Sequence, residues 1–116
     1  MARLLFHITT GPENPTKAVL GMLVARTAAD EGHEVDVFFA GDGVDYIREA
    51  TRAAANGVGV GNAGEHYQAL VDARVGLWGS GMSAKVRGVD SDGHTELSPP
   101  PKLVVLMAAA DNVITY

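Results

Sequence analysis

Small polar residues and glycines gather in three stretches of the sequence that could bind a ligand, residues 9–14, 41–43 and 79–82. Glycine lets a ligand approach the backbone closely, and the first N–H groups of a helix can hold an anion. The sequence therefore predicts these ligand-binding residues: Thr10, Gly11, Asn14, Gly41, Asp42, Gly43, Gly79, Ser80, Gly81 and Met82. The competing interpretation is that the three stretches are ordinary turns and that Ser80 caps a helix.

Ser80 carries a hydroxyl group that could act as a nucleophile. A catalytic serine needs a base within reach, and Gly79-Ser80-Gly81 lacks the full G-x-S-x-G elbow of hydrolases. No residue of the sequence is clearly placed as that base. We therefore predict no catalytic residue and favour binding at Ser80.

The four histidines receive separate interpretations. His7 lies in a predicted inner strand, where a hydrogen-bonded core or interface role is favoured over acid–base chemistry. His33 follows a helix end, where it can interact with the helix dipole, and His66 is expected to pack on a helical face. His94 lies among acidic residues that lack the spacing of a calcium or zinc site. We predict neither a metal nor a cofactor.

The glycines of Gly59-x-Gly61-x-x-Gly64 match the dinucleotide-binding fingerprint as a string. That fingerprint needs a strand directly before it and an acidic residue about 20 positions later. A helix is predicted before Gly59, so we interpret the segment as a connecting loop.

Alternating strands and helices must position these residues. The apolar and polar spacing predicts a strand over residues 3–9, a helix over 15–31 and a strand over 34–40. It further predicts a helix from about 44 to 56, a glycine-rich loop to 64, a helix over 65–73, a strand over 74–78, a short helix over 82–86, an edge strand near 95–97, a helix from about 99 to 110 and a strand over 112–116. This order predicts a three-layer α/β/α sandwich with a parallel sheet of about five strands, in which ligands bind beyond the carboxyl ends of the strands.

The first predicted helix is apolar beyond the usual stripe. Leu20 and Val24 extend the apolar surface past the face formed by its other hydrophobic residues. A second buried face, such as a subunit contact, would explain them.

Composition limits the class of protein. A chain of 116 residues with 47% hydrophobic residues is expected to form one domain, residues 1–116. The net charge of −5 and the scattered Lys and Arg residues argue against nucleic-acid binding. The sequence shows no signal peptide and no membrane-spanning segment, which predicts a cytoplasmic protein without a membrane partner. The chain has no cysteine, so thiol chemistry is excluded.

The whole chain resembles the DsrE/DsrF-like proteins of sulfur metabolism, which include TusD-type sulfur relay subunits. The resemblance rests on Thr10-Gly11-Pro12-Glu13, on Phe38-Phe39-Ala40-Gly41-Asp42-Gly43, on Ser80-Gly81-Met82-Ser83-Ala84-Lys85-Val86-Arg87-Gly88-Val89 and on Ala110-Asp111-Asn112-Val113-Ile114-Thr115-Tyr116. When the family's Arg-Gly pair is aligned on Arg87 and Gly88, its cysteine falls on Ser80.

The resemblance implies a five-stranded parallel sheet between helices, assembly into homotrimers or homohexamers and, in cysteine-containing members, persulfide transfer between protein partners. A serine hydroxyl has a much higher pKa than a thiol and cannot take up a sulfane sulfur. We therefore expect a non-catalytic oligomeric protein that binds a small ligand or a protein partner around Ser80. The alternatives are a structural subunit of a sulfur-relay system and, third, an enzyme of unknown chemistry that uses Ser80, His7 or the anion-binding turns.

Overall fold

The computed structural model describes every residue from Met1 to Tyr116. In chain order the elements are β1 (Arg3–Ile8), α1 (Pro15–Asp30), β2 (Glu34–Phe39), a 3₁₀ helix (Gly41–Ile47), α2 (Glu49–Ala54), β3 (Asn56–Gly57), β4 (Gly61–Asn62), α3 (Ala63–Asp72), β5 (Gly76–Ser80), α4 (Gly81–Arg87), β6 (Glu96–Ser98), α5 (Pro100–Ala109) and β7 (Asn112–Thr115). Five strands form one parallel sheet in the order β6-β5-β2-β1-β7, and β3 and β4 form a separate short hairpin. The predicted α/β fold with five parallel strands is confirmed.

The two faces of the sheet are covered unequally. The chain moves in one direction across the sheet from β1 through β2 and β5 to β6, and then returns to β7 at the far edge. Because parallel crossovers are right-handed, α1, α3 and α4 lie on one face, and α5 alone covers the other. A core of 20 buried residues lies under the first set of helices, whereas Leu5, Phe38 and Leu106 form a small second core under α5. The face under α5 is therefore the thinner side of the molecule.

Helix α1 begins where the sequence predicts. The Asn14 side chain accepts a hydrogen bond from the Lys17 N–H, and Pro15 occupies the first turn, where a missing N–H costs nothing. Gly32, which follows the helix end, has a φ of +90°, a conformation that glycine adopts easily. Leu20 and Val24 are each 37% exposed, so no part of this chain buries them fully.

The segment after β2 differs from the prediction of one helix over residues 44–56. It forms a 3₁₀ helix and then α2, separated by Arg48 with a ψ of 126°. Val44 and Ile47 are three residues apart and both buried, as are Gly43 and Tyr46, a spacing that matches three residues per turn. The two buried pairs are each spaced by three residues, so this segment buries them together as a 3₁₀ helix rather than as an α-helix.

Strand β5 also starts and ends two residues later than predicted. Arg74 has a left-handed φ of +58° and continues the turn after α3, so it cannot begin the strand. Gly79 pairs with Phe39, and a Cβ on it would lie 2.7 Å from Ile47 Cδ1. Glycine is needed at this position of the strand because the neighbouring side chain leaves no room for a Cβ. Ser80 is the last residue of β5.

None of the five helices combines the length and the apolar character needed to cross a membrane.

Candidate functional site

The three predicted binding stretches meet at one edge of the sheet. They follow β1, β2 and β5, which are neighbours in the order β5-β2-β1. Since parallel strands end at the same side of the sheet, the structure brings residues 9–14, 41–43 and 79–82 together. We call this group of loops the carboxyl edge.

Two glycines of the carboxyl edge pack against backbone atoms of this chain, which fill the space that a ligand would need. A Cβ on Gly11 would lie 2.4 Å from the Asp42 carbonyl oxygen, and a Cβ on Gly43 would lie 2.1 Å from the Ile8 carbonyl oxygen. Both glycines are buried. The close approach that requires glycine here is therefore made by the protein's own backbone. Gly41 differs, since it is half-buried with a φ of +55°.

Ser80 ends β5 and caps α4. Its Oγ accepts a hydrogen bond from the Ser83 N–H at 3.2 Å, which satisfies one of the free donors at the helix start. The side chain is half-buried, and the structure gives its hydroxyl no histidine or carboxylate partner. The geometry is that of a helix cap next to solvent.

A set of polar contacts ties α4 to the loop after β2. The Gly41 N–H donates to Ser83 Oγ at 3.0 Å, and the Arg87 guanidinium pairs with the Asp42 carboxylate. Arg48 donates to the Arg87 carbonyl oxygen at 2.6 Å and pairs with Asp45 at 2.9 Å. These pairings position Ser80 because they fix the helix that it caps.

The remaining predicted residues lie around this framework. Asn14 is exposed and caps α1, Thr10 is half-buried, Gly81 begins α4 and Met82 is 65% exposed on its first turn. Close by, a hollow of about 200 Å³ is lined by Pro12, Glu13, Asp42 and Asp45. Three of its four residues are acidic, although Asp42 and Asp45 already pair with arginines.

The largest hollow of the protein lies away from Ser80. It has a volume of about 830 Å³ and its lining comes from α1, α2 and α3 with the residues around them. Its residues are mostly polar and include Arg26, Arg52, Glu65, Gln68 and Asp72. Neither hollow has Ser80 in its lining.

A buried charged network escaped the sequence analysis. Arg52 Nη1 donates to the carbonyl oxygens of Tyr46 and Ile47 at 2.9 and 2.8 Å and pairs with Asp92 at 3.2 Å. Its guanidinium carbon lies 3.8 Å from the centroid of the Tyr67 ring. Such pairing allows an arginine to be buried. Arg52 and Asp92 are 40 residues apart, and no local pattern signals their contact.

Asp92 is the centre of this network. Its carboxylate accepts hydrogen bonds from Tyr67 Oη and from the N–H groups of His94 and Thr95. Burial opposes ionisation, but these hydrogen bonds and the Arg52 charge outweigh it, so the pKa of Asp92 lies below its usual value. The acidic stretch around His94 thus anchors a loop, and no group of three or more His, Asp and Glu side chains is placed to hold a metal ion.

The other histidines take structural positions. His7 is half-buried with its ring edge against Phe38, its Nε2 has no hydrogen-bond partner, and burial lowers its pKa. His33 Nδ1 accepts from the Ala2 N–H at 2.9 Å. His66 is buried and lies 2.7 Å from the Val60 carbonyl oxygen through Nε2. None of these rings contacts Ser80.

Tyr46 has a buried hydroxyl without a partner. Burial, together with the negative charges of Glu13 and Asp45, raises its pKa to about 12. No sequence pattern singles out Tyr46, because the isolation of its hydroxyl depends on the packing of residues around it.

Comparison with known proteins agrees with the geometry. A crystal structure of the YchN protein from E. coli superposes with a TM-score of 0.83 at 14% identity, covering 100% of both chains, which shows the same fold. No curated protein matches the chain in sequence. The family model described as the DsrE/DsrF-like family matches residues 2–116. The chain therefore belongs to the DsrE/DsrF-like family.

Proposed function

We propose that this protein is a non-catalytic oligomeric subunit that binds a protein partner, or a small ligand, at the carboxyl edge around Ser80. The family is related to sulfur-relay proteins, and these depend on a cysteine that this chain lacks. What remains at the corresponding helix start is a capping hydroxyl with no base beside it. Binding is the function that such a site can still perform.

One observation favours a protein partner over an enclosed ligand. Met82 and Val86 lie one turn apart on α4 next to Ser80 and are 65% and 86% exposed. No hollow surrounds Ser80, whereas exposed apolar side chains beside polar groups are typical of protein contacts. Lys85, which lies between them in the sequence, is exposed as well. The partner would therefore present an apolar surface with an acidic side chain beside it to pair with Lys85.

Site-specific photo-crosslinking tests this proposal in the producing cell. A photoreactive amino acid at Met82 or Val86 should capture the same partner from both positions. The matched control is Val58, which is 85% exposed at the tip of the β3–β4 hairpin. If the probe at Val58 captures the same proteins, or if the two α4 probes share none, docking on α4 is excluded.

A purified complex gives the quantitative test. Met82→Asp should weaken binding of the captured partner at least tenfold because it places a charge in an apolar contact, whereas Val58→Asp should leave it unchanged. Thermal unfolding with phosphate, sulfate or thiosulfate tests the small-ligand form, since a ligand that binds only the folded state raises the melting temperature.

Family membership supports a second candidate, a structural subunit within a sulfur-relay complex. Such a subunit would stand beside a cysteine-bearing relative and hold the complex together without carrying sulfur itself. It should then co-purify with that relative when both are produced together, and Met82→Asp should release it.

A cysteine variant tests whether the site keeps the geometry of a relay. In Ser80→Cys, the thiolate would attack the outer sulfur of a donor persulfide, and the donor thiolate would leave. Mass spectrometry should then find one added sulfur atom. Ser83→Cys is the matched control, since Ser83 is also half-buried and lies on the same helix. Equal loading of both variants, or none, would count against a retained relay site.

A further inference from the structure

The largest hollow of the protein has a buried arginine in its lining. Arg52 is only 8% exposed, and of the two hollows it lines only the one of about 830 Å³ beside α1, α2 and α3. A volume of this order is typical of small-molecule sites. The small part of Arg52 that solvent reaches therefore faces this hollow.

One edge of the Arg52 guanidinium group makes no contact with the protein. All its hydrogen bonds come from Nη1, which donates to the carbonyl oxygens of Tyr46 and Ile47 and to Asp92. The N–H groups of Nε and Nη2 form a second, parallel pair of donors. Neither nitrogen is one of the buried polar atoms that lack a partner, so solvent reaches this edge. Such a pair can hold a carboxylate through two hydrogen bonds.

The guanidinium group is held in place by the protein itself. Its carbon lies 3.8 Å from the centroid of the Tyr67 ring, and the Tyr67 hydroxyl in turn contacts Asp92 and Thr95. One face of the group and its Nη1 are therefore fixed. Because a preorganised group loses little conformational freedom on binding, the open edge can take up an acceptor with little further cost in ordering.

Glu49 brings a free negative charge close to this edge. Glu49 and Arg52 are three residues apart on α2, a spacing at which helical side chains are neighbours and can form an ion pair. They do not pair here, since Arg52 pairs with Asp92 and the exposed Glu49 pairs with no cation of the chain. Both residues line the hollow. An anion-binding edge and a free carboxylate are thus presented within one turn of helix.

The other charges of the hollow disfavour a ligand that is only an anion. Glu65 and Asp72 lie in the same lining with one further arginine, Arg26, and Asp92 already offsets the charge of Arg52. Phosphate or a dicarboxylate would therefore meet more negative than positive charge, and like charges placed together oppose binding. A ligand that carries its own cation avoids this repulsion.

We propose that Arg52 and Glu49 form a binding site for a free α-amino acid, with its carboxylate on the open edge of Arg52 and its ammonium group toward Glu49. In an α-amino acid a single carbon joins the two charged groups, which suits partners within one turn of helix. Ala53 and Gly64 also line the hollow, and their small size leaves the space beside Arg52 open. The site lies away from the carboxyl edge, so it does not depend on the proposed docking there.

An NMR titration with the common amino acids tests this site. At least one of them should shift the amide signals of residues 49–54 and 62–69 in a saturable way. Its N-acetylated form lacks the cation and its amide form lacks the carboxylate, so each should bind at least about tenfold more weakly. Binding by none of the amino acids, equal binding of either blocked form, or tighter binding of a dipeptide would overturn the proposal.

A blocking variant ties the binding to this hollow. Ala53→Leu should weaken binding of the same amino acid at least about tenfold, because the larger side chain fills the space beside Arg52. Ala54→Leu is the matched control, since Ala54 is the next residue of α2, is equally exposed and does not line the hollow. Equal affinity of the two variants would overturn the proposal.

Two further variants test the partners of the ligand. Arg52→Lys keeps the positive charge but loses the parallel N–H groups, and it should weaken binding when far-UV circular dichroism shows it folded. Glu49→Gln should weaken binding of the amino acid without affecting that of its N-acetylated form. Unchanged affinity of the amino acid in either folded variant would overturn the proposal, and crosslinking from Met82 would still report separately on the proposed function.

Discussion

The carbonyl oxygen of Asp42 packs against the α-carbon of Gly11 so closely that a Cβ there would lie 2.4 Å away. This contact joins the loop after β1 to the loop after β2. Asp42 in turn pairs with Arg87 at the end of α4, while the neighbouring Gly41 N–H donates to Ser83 on the same helix. The position of α4, and of Ser80 at its start, therefore depends on the fit at Gly11.

Gly11→Ala should destabilise the protein by about 1–3 kcal/mol, because the added methyl group meets backbone that must move. Urea unfolding followed by circular dichroism measures this loss. Gly81→Ala is the matched control, since its Cβ would lie 3.6 Å from the nearest atom, the Ser98 carbonyl oxygen, which is an ordinary contact. Equal losses in both variants would mean that the Gly11 contact does not hold the loops.

Asp92→Asn should lower the free energy of unfolding at pH 7 by about 1–3 kcal/mol, because Arg52 and Tyr67 lose a charged partner. The folded-state pKa of Asp92 lies below its unfolded value of about 3.9. Its contribution is therefore complete above that value and is lost as the pH falls through the folded pKa.

Urea unfolding at pH 7 and pH 3 tests both parts of this prediction. The difference between the original protein and Asp92→Asn should be largest at pH 7 and should shrink at pH 3. Asp90→Asn, two residues away at an exposed position, is the control and should have little effect at either pH. A difference that is constant with pH would show that the charge of Asp92 is not what matters.

The fold can be predicted from the sequence because most helices and strands have a local sequence signal of their own. Asn14 and Pro15 mark the start of α1, and the alternation of strands and helices is enough for the parallel sheet. The predicted bounds of β5 are wrong because they depend on the left-handed turn at Arg74 and on the close packing of side chains against Gly79. Those are tertiary effects with no local pattern.

The candidate site could be predicted only in part. The strand order places Ser80 and the loops after β1 and β2 at one edge of the sheet. The role of Ser80 as a helix cap is predicted by its position directly before the short helix α4. The reason for Gly11 could not be predicted, since its contact lies 31 residues away in the sequence. Residues separated in this way, such as Arg52 and Asp92, meet only after the chain has folded.

Tyr46→Phe should leave stability unchanged or raise it, because the variant removes a buried hydroxyl that has no partner. Tyr67→Phe is the matched contrast, since the Tyr67 hydroxyl contacts Asp92 and Thr95 and its loss should cost about 1–3 kcal/mol. Urea unfolding of the two variants should give effects of different size. A loss at Tyr46 as large as that at Tyr67 would mean that its hydroxyl is paired in solution.

His7→Gln should weaken the dependence of stability on pH between about 8 and 5, close to the unfolded histidine pKa of about 6.5. Burial lowers the folded pKa of His7, so the unfolded chain takes up a proton first as the pH falls. Neutral His7 therefore contributes fully above the unfolded pKa, and stability is lost as the pH falls through the folded pKa. Urea unfolding across this range should show a steeper loss in the original protein than in His7→Gln. His94→Gln, at an exposed position, should keep the original slope. An equal change of slope in both variants would contradict an effect that is specific to the half-buried ring of His7.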